Sequence, residues 1–223
     1  MALILNIDTA TETAQVSFAK DGIVLQALQN TAQKDHASFL QTAVQQLAKT
    51  AVVTLSEIDA VAVTAGPGSY TGLRVGMASA KGLCYALNKP LIALNTLEVL
   101  ATAAIQQLND AAGKLFCAMI DARRMEVFTA IYDQHLATAL APCAIILDEH
   151  SFAEQLKQNK VVFVGSGVFK WQAICKNANA SFAVDPNIID AMGTLSNTYF
   201  KKQAFANLAY SEPFYLKEFQ DKV

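Results

Sequence analysis

The order of strand and helix patterns along the chain restricts its fold more than any other feature of the sequence. Three strand patterns come first, at residues 3–7, 13–19 and 22–28, and the Asp21-Gly22 pair between the last two predicts a hairpin. Helix patterns at 38–51, 71–87 and 95–112 then alternate with strand patterns at 60–65 and 90–94. This order predicts a mixed sheet in which an antiparallel meander is extended by parallel strands.

A second meander begins after Gly113. Strand patterns lie at 115–120, 126–132, 143–147 and 161–165, and helix patterns lie at 151–158 and 195–208. A meander extended by parallel strands is the arrangement of a ribonuclease-H-like lobe, and two such lobes make an actin-like ATPase fold. We therefore predict an α/β fold with a ribonuclease-H-like lobe at 1–112. A reduced, degenerate second lobe with a C-terminal helix is expected at 113–223, where the repeat is incomplete.

Composition narrows the class of protein. The chain of 223 residues is 53% hydrophobic and 16% charged, which favours a compact fold with an extensive core. Its formal charge of -2 gives no basic field for a nucleic-acid backbone.

Neither a signal peptide nor a run of about 18 apolar residues is present, so we expect a cytoplasmic protein with no membrane segment. The four cysteines form no C-x-x-C pair, which favours reduced thiols over a zinc or redox site.

The most informative segment is rich in glycine and joins a strand to a helix. It reads Thr64-Ala65-Gly66-Pro67-Gly68-Ser69-Tyr70-Thr71-Gly72-Leu73-Arg74-Val75-Gly76. Backbone N–H groups at such a helix start suit a phosphate or carboxylate, although a tight turn without a ligand has the same pattern. The segment is not a Walker A loop, because no Gly-Lys-Ser/Thr follows. The candidate anion- or nucleotide-contacting residues are Asp8, Thr9, Gly66, Gly68, Ser69, Thr71 and Arg74.

This glycine string resembles that of the TsaB (YeaZ-type) family. The resemblance also includes Ile7-Asp8-Thr9, Ala80-Lys81-Gly82-Leu83, Ile120-Asp121-Ala122-Arg123 and Pro213-Phe214-Tyr215-Leu216-Lys217. It covers most of the first 132 residues closely and the remainder loosely. The family is a non-catalytic paralogue of TsaD, which transfers a threonylcarbamoyl group to N6 of the adenosine adjoining the tRNA anticodon. The resemblance therefore implies an accessory role in that modification.

The resemblance also implies a set of partners. It implies a heterodimer with TsaD, help in recruiting the ATPase TsaE, contact with tRNA only through the complex, and a homodimer when the chain is alone. No tightly bound cofactor is expected. An adenine nucleotide shared at the partner interface is compatible with the resemblance.

Comparison with TsaD indicates that this chain lacks a metal site. TsaD-type proteins carry Asn-His-x-x-x-His, whose histidines lie on one helical face and can bind one metal. Here the segment is Asn95-Thr96-Leu97-Glu98-Val99-Leu100, and neither Thr96 nor Leu100 can replace an imidazole. The three histidines, His36, His135 and His150, are not at helical ligand spacing. We expect no bound metal and no catalytic residue.

The turn after the first strand gives a second test of enzyme function. Actin-like ATPases use an Asp-x-Gly-Thr type of turn whose glycine lets nucleotide phosphates approach. This chain has Ala10 at the glycine position, so ATP hydrolysis by the isolated chain is not expected. Asp8 could equally be a strand-end residue that accepts hydrogen bonds from nearby amides.

The helix at 71–87 is apolar or small nearly all round, which predicts burial on two sides or a place at an interface. One stripe has the size to pack on the sheet: Leu73, Met77, Ala80, Cys84 and Leu87. A second stripe is small and would let another helix approach closely: Val75, Ser79, Gly82 and Ala86. Packing within the same lobe is the alternative, but the resembling family pairs through helices of its first lobe, which favours a partner-binding stripe.

Two other functions remain open at this stage. The first is an enzyme of the same fold, either a small-molecule kinase or a metallopeptidase-like protein. The second is a self-sufficient structural homodimer, since a surface that pairs with a homologue can pair with itself.

Overall fold

The computed structural model describes residues 1–31, 36–184 and 186–217. Within these residues the strands are β1 (Leu3–Asp8), β2 (Ala14–Lys20), β3 (Ile23–Asn30), β4 (Ala60–Gly66), β5 (Leu91–Asn95), β6 (Lys114–Asp121), β7 (Glu126–Tyr132), β8 (Thr138–Ile146), β9 (Lys160–Val164) and β10 (Ala180–Phe182). The helices are α1 (His36–Thr50), α2 (Tyr70–Leu87), α3 (Thr96–Gln107), α4 (Ala153–Gln158), α5 (Val168–Gln172) and α6 (Ile188–Lys201), with a short 3-10 helix at Leu55–Glu57. None of these helices is both long and apolar enough to cross a membrane.

The first sheet has the strand order β3-β2-β1-β4-β5. Strands β1 to β3 form the predicted antiparallel meander, and β4 and β5 extend it in parallel. Asp21 and Gly22 both have positive φ at the β2–β3 turn, at 51° and 90°. Two-residue hairpin turns of this kind require that backbone conformation, so the predicted hairpin is confirmed.

Helices α1 and α2 pack on one face of the first sheet. The side chains of Leu5 and Ile7 on β1 belong to the same buried cluster as Leu40 and Leu47 of α1 and Met77 of α2. Because alternate residues of a strand face opposite sides of the sheet, Asn6 and Asp8 lie on the other face. The amphipathic pattern predicted for α1 therefore has a structural reason: the apolar side of this helix covers the core.

The second sheet repeats the first in strand order and direction, as β8-β7-β6-β9-β10. The strand repeat is thus complete, which corrects the expectation of an incomplete one. The second lobe is reduced in the length of its elements instead, since β10 has 3 residues, α4 has 6 and α5 has 5. Elements this short give too few positions for a periodicity, which is why β10 and α5 were not predicted.

The second sheet has an apolar core on each face. One core contains Leu97, Leu100 and Ala104 of α3 together with Phe116 of β6. The other contains Trp171 of α5, whose indole ring lies 5.4 Å from the ring of Phe152 and 5.8 Å from that of Phe163. Aromatic side chains therefore fill the space that longer helices would occupy.

The chain divides into two compact units at boundaries that differ from the predicted 1–112 and 113–223. Over the residues that the structure describes, the first unit comprises Met1–Thr96 and Ile189–Phe214, and the second comprises Leu97–Ile188 and residues 215–217. Helix α3 belongs to the second unit because its apolar face packs with β6. The C-terminal helix belongs to the first unit, where the lack of a side chain at Gly193 lets α6 approach Ala19 and Gly22. Helix α6 (Ile188–Lys201) also lies earlier in the chain than the helix predicted at 195–208.

The aromatic core of the second unit gives a test of the fold. Phe163 is fully buried, whereas Phe169 of the neighbouring helix is 78% exposed. We expect Phe163→Ala to lower the free energy of unfolding by about 3–5 kcal/mol, and the control Phe169→Ala to change it by less than about 0.5 kcal/mol. Denaturant unfolding followed by the fluorescence of Trp171, the single tryptophan of the chain, measures both. Equal effects of the two substitutions would contradict this packing.

Candidate functional site

The glycine-rich segment forms the predicted strand, turn and helix start. Strand β4 ends at Gly66, and Ser69 caps α2 by accepting a hydrogen bond at Oγ from the Gly72 N–H at 3.3 Å. The backbone of Gly66 has a φ of 126°, which side-chain-bearing residues rarely adopt. The Phe214 N–H donates to the Ala65 carbonyl at 2.7 Å, so the C-terminal segment covers this turn.

Three further glycines let the turn between β1 and β2 lie directly on the start of α2. A Cβ atom at Gly68 would clash with the Ala10 carbonyl, and one at Gly72 would clash with the Thr9 carbonyl. A Cβ atom at Gly76 would clash with Thr9 Oγ1. The contact is also hydrogen-bonded, because Thr9 Oγ1 donates to the Gly72 carbonyl at 2.7 Å and the Ser69 N–H donates to the Ala10 carbonyl at 2.7 Å. These glycines are therefore explained by close packing of the backbone.

The structure brings most of the predicted anion-contacting residues into this one cluster. Asp8, Thr9, Gly66, Gly68 and Ser69 all contact the turn or the start of α2. The N–H groups of Ser69 and Gly72, which a phosphate would need, already donate within the chain.

The remaining two predicted residues, Thr71 and Arg74, are exposed on α2. The guanidinium of Arg74 lies 4.1 Å from the centre of the Tyr70 ring, a cation–π contact. Contact of these residues with an anion or nucleotide stays a prediction.

Asp8 is buried, and its carboxylate accepts three hydrogen bonds from the described residues. Oδ1 accepts from Thr64 Oγ1 at 2.7 Å and from the Ala10 N–H at 3.0 Å, and Oδ2 accepts from Gln15 Nε2 at 3.1 Å. Burial raises the pKa of Asp8, and these hydrogen bonds and the nearby His36 offset part of that rise. The side chain ties β1, β2 and β4 together, which supports the strand-end interpretation.

The two positions that hold the metal-binding histidines in the TsaD pattern are both buried in α3. Thr96 is 3% exposed and Leu100 is 7% exposed, and Leu100 packs in the apolar core of the second unit. No group of three His, Cys, Asp or Glu side chains with metal-binding geometry exists in the described part of the chain.

Helix α2 presents one face to the core and another to solvent. Leu73, Met77, Ala80 and Cys84 of the predicted core stripe are buried, and Leu87 is half-buried, so this stripe is confirmed. The predicted partner stripe is only partly exposed to solvent. Gly82 and Ala86 are exposed, whereas Val75 and Ser79 are half-buried.

The exposed residues of α2 form a surface that the sequence analysis identified only in part. Ala78, Gly82 and Ala86 are exposed, Tyr85 is 84% exposed, and a Cβ atom added at Gly82 would meet nothing within 4 Å. We call Ala78, Gly82, Tyr85 and Ala86 the outer face of α2. The residues along the centre of this face have small side chains or none, and the large aromatic side chain of Tyr85 lies beside them.

A turn near the C-terminus is attached beside this outer face. Lys81 Nζ donates to the carbonyls of Ala209 at 3.2 Å and Ser211 at 2.8 Å. Asn207 Oδ1 in turn accepts from the N–H groups of Ala209 and Tyr210, which shapes the turn. The turn carries Tyr210, which is 84% exposed. No local sequence pattern marks this contact, because Lys81 lies 128 and 130 residues from its acceptors.

The second unit has a counterpart of the Asp8 and Gly66 positions, with a different environment. Asp121 ends β6, and Gly165 after β9 has a φ of 106°. Asp121 accepts from Lys170 Nζ at 2.7 Å and from the Arg123 N–H at 2.6 Å. Burial acts to raise the pKa of Asp121, but these donors lower it overall. This carboxylate is therefore held as an ion pair near solvent.

Comparisons with known proteins give the relatives of the chain. The family model of TsaD, tRNA N6-adenosine threonylcarbamoyltransferase, matches residues 22–220. The tRNA threonylcarbamoyladenosine biosynthesis protein TsaB of Escherichia coli is 30% identical over 221 residues, which covers 96% of this chain and 94% of that protein.

Solved structures agree with the predicted fold. YeaZ from Pseudomonas aeruginosa matches with a TM-score of 0.79 at 26% identity, covering 97% of this chain and 100% of that one. An inorganic polyphosphate/ATP-glucomannokinase from Arthrobacter matches with a TM-score of 0.52 at 12% identity, covering 90% of this chain and 100% of that one. The second likeness is one of fold alone, and together they confirm the actin-like ATPase fold.

The two helical glycines of α2 give a matched test of the packed turn. Gly76→Ala should destabilise the protein, because its Cβ atom must displace Thr9 from α2. Gly82→Ala should stabilise the protein by up to about 1 kcal/mol, since alanine is the better helix former and the space is open. Thermal unfolding of both variants measures the sign of each change. Two changes of the same sign would contradict the geometry.

The raised pKa of Asp8 predicts how an amide at this position changes the pH dependence of stability. An aspartate whose pKa is raised by folding binds its proton more tightly in the folded chain than in the unfolded chain. Its contribution to stability is therefore greatest below the unfolded pKa of 3.8 and is lost as the pH rises through the folded pKa. The Asp8→Asn variant should gain stability relative to wild type between acidic and neutral pH. Urea unfolding measures the stability of both proteins across this range. If the difference in stability between Asp8→Asn and wild type is the same at every pH, the prediction is wrong.

Proposed function

The chain belongs to the TsaD family as a TsaB (YeaZ-type) member, and from this premise we propose that it is an accessory subunit of tRNA threonylcarbamoyladenosine biosynthesis. In this role it pairs with TsaD, which carries out the transfer of the threonylcarbamoyl group. The chain supplies a surface that holds TsaD in its active arrangement. The observation that carries the proposal is the outer face of α2, which is exposed, small along its centre and flanked by aromatic side chains.

A non-catalytic role is supported by the residues at the two places where related enzymes do chemistry. Thr96 and Leu100 replace the two histidines of the TsaD pattern, and neither side chain is a metal ligand of that kind. At the other place, the carboxylate of Asp8 is buried and hydrogen-bonded to Thr64, Gln15 and the Ala10 N–H. A carboxylate engaged in this way is less available as a general base or metal ligand, because three of its roughly four lone-pair sites already have partners.

A partner helix has a physical reason to bind at the outer face of α2. Gly82 and Ala86 carry little or no side chain, so a second helix can approach closely and gain dispersion contacts along its length. Tyr85 and Tyr210 are aromatic side chains of the kind that contribute most to binding at interfaces. Lys81 holds the turn that bears Tyr210 in place before binding, which reduces the entropy lost on association.

Further contacts of the assembly follow from the same premise. We propose that TsaE joins the pair and that tRNA is reached only through the complex. We also propose that an adenine nucleotide shared at the TsaD interface contacts the start of α2, where Thr71 and Arg74 are exposed. The net charge of -2 supports the second point, since the chain has no excess of positive charge for a phosphate backbone. A homodimer through the same outer face is proposed for the chain without TsaD.

The enzyme alternative has less support. A kinase would share the fold of the glucomannokinase, but a likeness of fold carries no activity with it. Ala10 stands where the phosphate-approaching glycine would be, and its carbonyl accepts from the Ser69 N–H.

The pairing surface is tested by enlarging the side chain at its smallest point. Gly82→Leu should weaken binding to TsaD by about fivefold to a hundredfold, since overpacking a close contact costs about 1–3 kcal/mol. Ser79→Arg, beside the outer face, should act in the same direction. Co-expression with the cognate TsaD, followed by size-exclusion chromatography with mass measurement, reports the heterodimer.

Two controls separate a lost interface from a lost fold. Circular dichroism and thermal melting should show that Gly82→Leu remains folded, because the position is open. Gln158→Arg, at an exposed position of α4 in the second unit, should leave pairing unchanged. If folded Gly82→Leu still binds TsaD with normal affinity, the outer face of α2 is not the partner surface.

A further inference from the structure

The turn near the C-terminus that carries Tyr210 is attached to α2 by a residue that lies among those of the outer face. This residue is Lys81, which comes three residues after Ala78 and four residues before Tyr85 on the helix. Residues at these spacings are neighbours on a helix surface, so the Lys81 side chain starts within the outer face. Tyr85 and Tyr210 are each 84% exposed. The turn therefore adds a second exposed aromatic side chain to this side of the first unit.

The two hydrogen bonds from Lys81 hold the backbone on both sides of Tyr210. Lys81 Nζ donates to the carbonyl of the residue before Tyr210 at 3.2 Å and to the carbonyl of the residue after it at 2.8 Å. An ammonium group has three donors, so both bonds can be made at once. The position of Tyr210 relative to α2 therefore depends on the Lys81 side chain.

The other contacts of the turn shape it without fixing Tyr210 to α2. Asn207 accepts hydrogen bonds from N–H groups of the turn itself, which are local bonds. Leu208 packs on the apolar core, and the Phe214 N–H is bonded beyond the turn. Between Leu208 and Phe214, and among the residues that the structure describes, Lys81 alone forms hydrogen bonds to this segment from outside it.

We propose that Lys81 is a positioning residue for pairing with TsaD, and that it holds Tyr210 so that the turn and the outer face of α2 bind TsaD together. This inference rests on the proposed pairing, and the turn is assigned to the same partner because it continues the surface of α2. An aromatic side chain on a fixed backbone loses less entropy on association. The contribution of Lys81 to affinity is therefore made through Tyr210.

Isothermal titration calorimetry of the full chain with the cognate TsaD measures this contribution. Lys81→Met keeps an unbranched side chain but removes its donors, so affinity should fall by about threefold to tenfold. Lys81→Arg keeps a cationic donor and should restore most of the affinity. Lys157→Met, at an exposed position of α4 in the second unit, removes the same charge elsewhere and should leave affinity unchanged.

A double-mutant cycle tests whether Lys81 acts through Tyr210. Tyr210→Ala should lower affinity, and Lys81→Met should then cause little further loss, because the side chain that it positions is gone. Amide hydrogen exchange at residues 209–211 should be faster in Lys81→Met than in wild type and slow again in Lys81→Arg. Thermal melting of Lys81→Met should match wild type, because Lys81 is only half-buried.

The proposal is overturned if folded Lys81→Met binds TsaD normally, if Lys157→Met causes an equal loss, or if the losses from Lys81→Met and Tyr210→Ala are additive. A loss limited to self-association of the chain would also overturn it, because the turn would then bind a second copy. Gly82→Leu in the same assay separates the two levels of the account. If Gly82→Leu weakens binding and Lys81→Met does not, the positioning role alone is wrong. If neither weakens binding, the pairing surface on α2 is wrong as well.

Discussion

The contact between the β1–β2 turn and the start of α2 is the constraint on which the rest of the first unit depends. Thr9 and Ala10 touch α2 through backbone and hydroxyl atoms, and this is possible only because positions 68, 72 and 76 have no side chain. The contact fixes Asp8 beneath Thr64 and Gln15, and it sets which side of α2 faces the sheet. The opposite side of α2, which carries Gly82, Tyr85 and Ala86, is then the exposed side.

Local periodicity and turn chemistry were sufficient for the elements that are long and regular. The Asp21-Gly22 hairpin, the core stripe of α2 and the order of the first meander all follow from patterns within one or two elements. The membership of α3 and α6 in the two units could not be predicted in this way, because it depends on packing between distant segments. Helix α5 and strand β10 were missed since 5 and 3 residues carry no periodicity.

The same limit applies to the sites. Sequence identified the residue types around Asp8 and Ser69, but it could not reveal that their hydrogen bonds are made within the chain.

The central claim is that this chain acts through TsaD and has no transferase or ATPase activity of its own. The most direct measurement is threonylcarbamoyladenosine formation on tRNA with the threonylcarbamoyl-adenylate and TsaE supplied, using this chain alone, TsaD alone and the two together. The account predicts product only when both proteins are present, and no ATP hydrolysis by the purified chain. Product or hydrolysis from this chain alone that disappears in an Asp8→Ala variant would contradict it.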